Sequence, residues 1–177
     1  MTITFYSIAI PPLIRGLKNL SAILTKGEAH AKANGIDPQV YLDSRLHPDM
    51  AALPFQIHRV SDSAKFVPVR CAGVEAPSFP DVEQTFPELQ ARITKTIEFL
   101  ESVPESAFEG QEGREVVLQI GPQKMEIRFQ ALDYLGNFAT PNFWFHITTA
   151  YGILRSKGVD VGKMDYLNGA KLTKTEA

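Results

Sequence analysis

The stretch PNFWFHITTAYGILR, residues 141–155, is a run of apolar and aromatic residues with one histidine in its middle. Pro141 suits the first turn of a helix, and Gly158 suits its end. One face of that helix carries residues at steps of three and four: Phe143, His146, Ala150 and Ile153. The stretch therefore predicts a long helix in which His146 points inward or lies at the edge of the core.

Three earlier stretches repeat this helical spacing. They predict a helix from about residue 6 to about residue 34, a second over about twenty residues from Met50, and a third after Thr85. Thr85 and Glu88 form a capping-box pattern at the start of the third. Pro11 and Pro12 mean that the first helix either begins there or has bent first turns. Four long helices indicate an all-α four-helix bundle.

Alternating apolar residues interrupt the helical pattern once. EVVLQI and KMEIRF, between about residues 114 and 130, predict a small β-hairpin with Gly121 and Pro122 in its turn. An isolated hairpin is only marginally stable, so we expect it to lie against the helices. DPQVYLDSRL is predicted as a short helical connector, and the polar tail GAKLTKTEA, residues 169–177, is expected to fray.

Bulk composition limits the class of protein. The chain has 177 residues, 44% hydrophobic and 21% charged, with a formal net charge of −2. These values predict one globular domain over 1–177 and no nucleic-acid partner. No apolar run approaches the roughly 20 residues of a membrane span, and no signal peptide is recognisable. With a single cysteine, Cys71, in an apolar stripe, we expect a cytoplasmic protein with an inert core thiol.

The surroundings of His146 predict a small-molecule site. Burying an imidazole without a partner costs roughly 1 to 3 kcal/mol, so a side chain, water, ligand or metal ion must bond to it. Asn142 and Thr149 lie one turn before and after His146 on nearly the same line. A few polar groups in an apolar setting are typical of a ligand pocket. Hydrogen bonding between helices in the core is the alternative explanation.

Five segments, read in chain order, resemble a known family: NLSAILTKGEAHA, RLHPDM, CAGVEAPSF, ELQARITKTIEFL and PNFWFHITTAYGILRSKGV. Over roughly residues 6 to 168 the chain closely resembles the domain-of-unknown-function 1993 family, within the DinB/YfiT-like superfamily. The resemblance implies a four-helix bundle of up-down-down-up topology that is often dimeric. A homodimer is therefore expected.

The superfamily is also similar to metal-dependent enzymes, including bacillithiol- and mycothiol-dependent transferases and a maleylpyruvate isomerase. This resemblance implies zinc or nickel held by three histidines, one on the second helix and two spaced four apart on the fourth. His58 and His146 match two of these positions, but Ala150 stands at the third. Because such ions need at least three good protein ligands, the site is incomplete unless His47 or Asp49 supplies a donor.

Without a metal, His146 could act as general base or acid, because the unperturbed pKa of imidazole, near 6.5, lies close to working pH. Asp49 would orient it, and Asn142 or Thr149 would stabilise developing negative charge. Phe143 completes the predicted substrate-binding set. Isomerase or lyase chemistry on a small carbonyl-bearing molecule, with no cofactor, is the matching reaction class.

Two other classes stay open at this point. A metal-dependent transferase or hydrolase would use His58 and His146 with zinc or nickel. A dimeric binding or structural module would use the aromatic residues of the fourth helix only for packing.

Overall fold

The four apolar stripes form four long helices in the structure, a computed structural model that describes residues 2–121, 123 and 125–173. The bounds of these helices are α1 Phe5–Ala33, α3 Leu53–Ala72, α4 Phe86–Ser102 and α6 Thr140–Ser156. Three short α-helices connect or follow them, together with a 3₁₀ helix at Glu105–Phe108: α2 Pro38–Leu42, α5 Ala131–Tyr134 and α7 Lys163–Asn168. The helical connector was predicted, whereas α7 was not.

Side-chain caps set where two of the long helices begin. Helix α1 starts at Phe5, because Thr4 and Ser7 exchange hydrogen bonds of 2.9 and 3.1 Å at its first turn, and it continues through both prolines. The expectation that α1 could begin at the prolines was therefore wrong. The predicted capping box of α4 is confirmed. The backbone N–H of Thr85 donates to the Glu88 carboxylate at 3.0 Å, and the backbone N–H of Glu88 donates to the Thr85 hydroxyl at 3.3 Å.

Contacts between the long helices give their relative directions. Gly16 and Gly27 of α1 face Phe143 and Leu154 of α6, so α1 and α6 are parallel. The contacts Lys18–Glu101 and Thr25–Gln90 make α1 and α4 antiparallel. In the same way, Gln56–His146 and Ser63–Asn142 make α3 and α6 antiparallel. The four directions combine into the predicted up-down-down-up order.

The hairpin lies between α4 and α6, as predicted. Strands β1 Glu115–Ile120 and β2 Met125–Gln130 pair antiparallel, and Val117 lies opposite Arg128. Alternation along β1 buries Val116 and Leu118 in the hydrophobic core, so the hairpin packs on the helices. The predicted turn residue Pro122 lies outside the described residues.

The fourth long helix is part of a longer helical rod. Residues Leu135–Ala139 form a π-helical turn between α5 and α6, and Tyr134, Ala139 and Thr140 all have right-handed helical backbone angles. Helical structure therefore begins at Ala131, well before Pro141. A π turn shifts the hydrogen-bond ladder by one residue, which accommodates the missing N–H of a proline inside a rod.

The core is one cluster shared by all four long helices and β1. None of the helices among the described residues combines the length and apolar character needed to cross a bilayer. Part of the tail that was expected to fray has contacts, since the Arg15 guanidinium donates to the Thr173 hydroxyl at 2.7 Å. Residues 174–177 of that tail lie outside the described residues.

Candidate functional site

A strip of polar side chains runs along the contact between α3 and α6, which we call the α3–α6 seam. Helix α3 contributes residues at steps of three, four and seven: Gln56, Arg59, Ser63 and Arg70. Helix α6 contributes Asn142 and His146, one turn apart, each bonded to a residue of α3. The seam therefore brings together polar groups that lie 79 and 90 residues apart in the chain.

Gln56 determines the tautomer of His146. Its side-chain N–H donates to the backbone carbonyl of Ala51 at 2.9 Å, and a carbonyl can only accept. The Gln56 amide oxygen therefore faces Nδ1 of His146, 2.8 Å away, and accepts a hydrogen bond from it. Because Nδ1 carries the proton in the neutral ring, Nε2 keeps its lone pair. His146 thus presents a hydrogen-bond acceptor.

His146 is half-buried between two aromatic rings. Phe55 and Phe145 stand edge-on to the imidazole, with centroids 6.2 and 5.2 Å away. Burial, with a smaller contribution from the charge of Arg59, lowers the pKa of His146 to about 4. The unperturbed pKa assumed from the sequence was therefore wrong for this ring. His146 is neutral throughout the physiological pH range.

The predicted substrate-binding residues have different surroundings. Asn142 donates to the Ser63 hydroxyl at 2.7 Å and is half-buried in the seam. The Thr149 hydroxyl donates to the carbonyl of Phe145 in its own helix at 2.8 Å, so its proton is already used. Phe143 is fully buried against Gly16 and does not reach solvent. Of these three side chains, only Asn142 is available to a ligand.

Asp49 does not meet His146 in the structure. Its carboxylate lies 2.5 Å from Nδ1 of His47, and both side chains are largely exposed. Gln56 takes the orienting role that was predicted for Asp49. The sequence shows the position of Gln56 on α3, but it does not show that His146 is its partner. Burial raises the pKa of Cys71 to about 12, which agrees with an inert core thiol.

His58 lies in a buried charged network that joins α3, α4 and the segment 74–85. Arg59, Lys65 and Arg92 face three carboxylates in this network: Asp62, Asp81 and Glu83. Nε2 of His58 is 3.0 Å from a Glu83 oxygen but off the direction of a hydrogen bond. Burial lowers the pKa of His58, while Asp81 opposes the shift. His58 is thus surrounded by ion pairs.

These partners bear on the metal site that the resemblance implies. His146 is bonded to Gln56, whereas His58 faces Glu83 and Asp81. Within residues 2–121, 123 and 125–173, no three His, Cys, Asp or Glu side chains form a group able to hold a metal ion. Ala150, fully buried, has no donor atom to add. The residues present therefore do not fit a three-ligand zinc or nickel site.

A groove opens on the same seam, beside the π turn. Its cavity has a volume of about 170 Å³, and Arg59, Arg70, Tyr134, Phe138 and Asn142 are among its walls. The sequence analysis missed the two arginines, although they lie on the same stripe of α3 as Gln56 and Ser63. Tyr134 and Phe138 could not be placed there, because the π turn rotates them relative to a regular helix.

Four long helices in up-down-down-up order, with a polar seam between the second and the fourth, define a DinB-like helical bundle. The chain belongs to the family described as Domain of unknown function (DUF1993), whose profile matches residues 5–167. This confirms the resemblance found in the sequence and the predicted fold class.

A solved structure agrees with this assignment. The chain is similar to a DinB family member protein from Shewanella denitrificans, with a TM-score of 0.86 and 36% sequence identity. The match covers 97% of this chain and 94% of that chain. No curated protein matches the sequence.

Proposed function

We propose that the protein is a cytoplasmic small-molecule enzyme whose chemistry is proton transfer of the isomerase or lyase type, with His146 as the proton acceptor. The observation that carries the proposal is the hydrogen bond from His146 Nδ1 to Gln56, because it leaves Nε2 unprotonated. Phe55 and Phe145 supply apolar walls on either side of the ring. Asn142, one turn away, supplies a polar contact for the substrate.

The step suits a small molecule with a C–H bond next to a carbonyl group. Nε2 takes the proton, the electron pair of the C–H bond moves toward the carbonyl oxygen, and the imidazolium returns the proton to another carbon. With a pKa of about 4, protonated His146 is disfavoured at pH 7 by about 4 kcal/mol. The negative charge that develops on the substrate beside the ring offsets part of this cost, and the proton returns quickly.

The metal-dependent transferase or hydrolase has less support. It requires His58 and His146 to share an ion, whereas each ring has its own partners and Ala150 adds no third ligand. We therefore propose a degenerate site that works without a metal cofactor.

A dimeric binding or structural module is the second candidate, and one observation favours it. Phe55 is 45% exposed and Phe145 is 57% exposed, and both lie beside His146. Exposed neighbouring aromatic residues are typical of protein–protein contacts as well as of ligand sites. If this surface joins two copies, Phe145→Ser will convert a dimer into a monomer in light-scattering chromatography. An unchanged mass for the variant would count against this candidate.

Deuterium exchange tests the enzyme proposal without knowledge of the substrate. Small 2-oxo and 3-oxo acids are incubated with protein in D₂O, and loss of their C–H signals is followed by proton NMR. We expect wild-type protein to accelerate exchange in at least one compound and His146→Gln to abolish it. His47→Gln, at an exposed ring, is the matched control and should keep the activity. Equal exchange by folded His146→Gln protein would remove His146 as the base.

A further inference from the structure

The groove beside the π turn carries a cation that no carboxylate of the described residues neutralises. Arg70 is half-buried between the rings of Phe66 and Tyr134, 4.4 and 5.5 Å from their centroids. It donates to the Tyr134 hydroxyl at 2.7 Å. No carboxylate of the described residues lies within 4.0 Å of its guanidinium nitrogens. A guanidinium held in place by two rings and lacking a counter-ion is prepared to bind an anion.

The other charges of the groove balance one another. Asp62, the acidic residue in its wall, lies within 3.3 Å of three cations: Arg59, Lys65 and Arg92. The full network has three cations and three carboxylates, so the positive charge of Arg70 is the surplus. The groove therefore offers one positive charge to a ligand and matches a monoanion better than a dianion.

Tyr134 adds a hydrogen-bond donor next to Arg70. Its oxygen accepts from Arg70, which leaves the hydroxyl proton free to donate. Burial raises the pKa of Tyr134, with Arg70 opposing the shift, so the phenol stays protonated. Two adjacent donors, a guanidinium and a hydroxyl, fit the two oxygens of a carboxylate.

The remaining walls indicate the body of the ligand. The rings of Phe66 and Phe138 line the groove beside Ala139. The cavity volume of about 170 Å³ corresponds to about six water molecules at roughly 30 Å³ each. A flat or short apolar group of this size fits, whereas a large cofactor does not.

From these observations we propose that the groove is a binding site for a small organic monocarboxylate with an aromatic or apolar body, anchored by Arg70 and Tyr134. The groove shares Asn142 with the contacts proposed around His146, but its anchor lies elsewhere on α3. Gln56, the partner of His146, is fourteen residues before Arg70 on α3, which is about 21 Å along the helix axis. The proposal therefore goes beyond the proposed proton transfer and does not depend on it.

Titration calorimetry and backbone-amide NMR with benzoate, benzamide and phenyl phosphate test the site. We expect benzoate to bind wild-type protein with a Kd on the order of 1 mM and to shift amides of 63–70 and 134–142. Neutral benzamide and the dianion phenyl phosphate should bind more weakly. His146→Gln should bind benzoate as well as wild-type protein does, so a failure of the proton-transfer proposal leaves this result unchanged.

Variants identify the anchor. Arg70→Gln should weaken benzoate binding about tenfold or more, and Tyr134→Phe should weaken it less, because it removes only a neutral donor. Arg70→Lys keeps the charge and provides a second test if the glutamine variant unfolds; it should bind benzoate more weakly than wild-type protein. Arg155→Gln, at the exposed far end of α6, is the control and should bind like wild type.

Three results would overturn the proposal. They are the absence of benzoate binding to wild-type protein at millimolar concentration, undiminished binding to folded Arg70 variants, and equal or tighter binding of benzamide. Phenyl phosphate binding more tightly than benzoate would overturn the carboxylate assignment and identify the groove as a phosphate site.

Discussion

At the scale of the residue, one imidazole determines much of the account. His146 is neutral because it is half-buried, and its tautomer is set by a glutamine whose own amide is anchored to a backbone carbonyl. Both properties come from the contact between α3 and α6, not from the residues that neighbour His146 in the chain. A sequence pattern can place a histidine on a helix face, but it does not show which side chain of another helix will meet it.

The lowered pKa of His146 predicts a pH-dependent stability. The unfolded chain takes up a proton near pH 6.5 and the folded protein only near pH 4, so stability falls as the pH drops from about 6.5 toward 4. The pKa shift corresponds to at most about 3–4 kcal/mol of stability, and partial exposure of the ring reduces this to about 1–2 kcal/mol. His58 contributes in the same direction, because its pKa is also lowered.

Urea unfolding at pH 7.0 and 4.5 measures this effect. Between pH 7.0 and pH 4.5, the free energy of unfolding of His146→Gln should fall by about 1–2 kcal/mol less than that of wild-type protein. His47→Gln, at an exposed ring, should behave like wild type. Identical pH dependence in the His146 variant and in wild-type protein would show that the folded ring titrates as it does in the unfolded chain.

At the scale of the element, the segment 74–85 has no regular secondary structure and is held by charge. Arg92, only 1% exposed on α4, reaches Asp81 at 2.9 Å, Glu83 at 3.2 Å and the carbonyl of Pro80 at 2.9 Å. The same guanidinium contacts Asp62 of α3 at 3.3 Å. One buried arginine therefore ties this segment to two helices.

Arg92→Met should destabilise the protein by about 1–3 kcal/mol, because Glu83 and the carbonyl of Pro80 lose a buried donor, while Asp62 and Asp81 keep Arg59. Urea unfolding measures the change, and limited proteolysis should show new cleavage within residues 74–85. The control is Arg128→Met on β2, whose 59% exposed side chain pairs with Glu115 and Glu126. It should leave the free energy of unfolding nearly unchanged, because solvent screens this exposed pair. Equal effects of the two substitutions would mean that the buried network does not anchor the segment.

The elements also show how far sequence reasoning reaches. Apolar periodicity located four long helices and the hairpin, because burial of one face is a property of each segment by itself. The prolines limited it, because Pro141 was placed in the first turn of its helix and Pro11 left open whether the first helix begins there or has bent first turns. In the structure a capped first turn at Thr4 and a π turn before Thr140 extend both helices past those residues. Such compensations depend on hydrogen bonds that the residue pattern does not contain.

The candidate site was predicted less completely than the fold. His146 and Asn142 were found because they lie on the inner face of their own helix. Gln56, Arg59 and Arg70 were missed, because a polar stripe on α3 becomes a site only through the antiparallel packing of α6. Thr149 was included in the predicted site, yet its hydroxyl bonds to its own helix, which helical spacing cannot distinguish from a ligand contact.

At the scale of the whole molecule, the family's fold is present, while the three-histidine set that the sequence resemblance implied is incomplete. His58 and His146 have separate partners, and Ala150 replaces a donor. We therefore expect elemental analysis of tag-free protein to find zinc, nickel and iron well below one ion per chain. Adding zinc should not raise the thermal unfolding temperature of wild-type protein more than that of His146→Gln. A stoichiometric metal ion lost in both His58→Gln and His146→Gln would contradict this expectation.

The central claim is that folded His146 is neutral, carries its proton on Nδ1 and leaves Nε2 free. Nitrogen-15 NMR of protein labelled at histidine, recorded from pH 8 to pH 4, measures both the tautomer and the titration of this ring. We predict an Nδ1–H signal with an unprotonated Nε2 down to about pH 5, and loss of the tautomer preference in Gln56→Leu. A proton on Nε2 at neutral pH, or a midpoint near 6.5, would contradict the account.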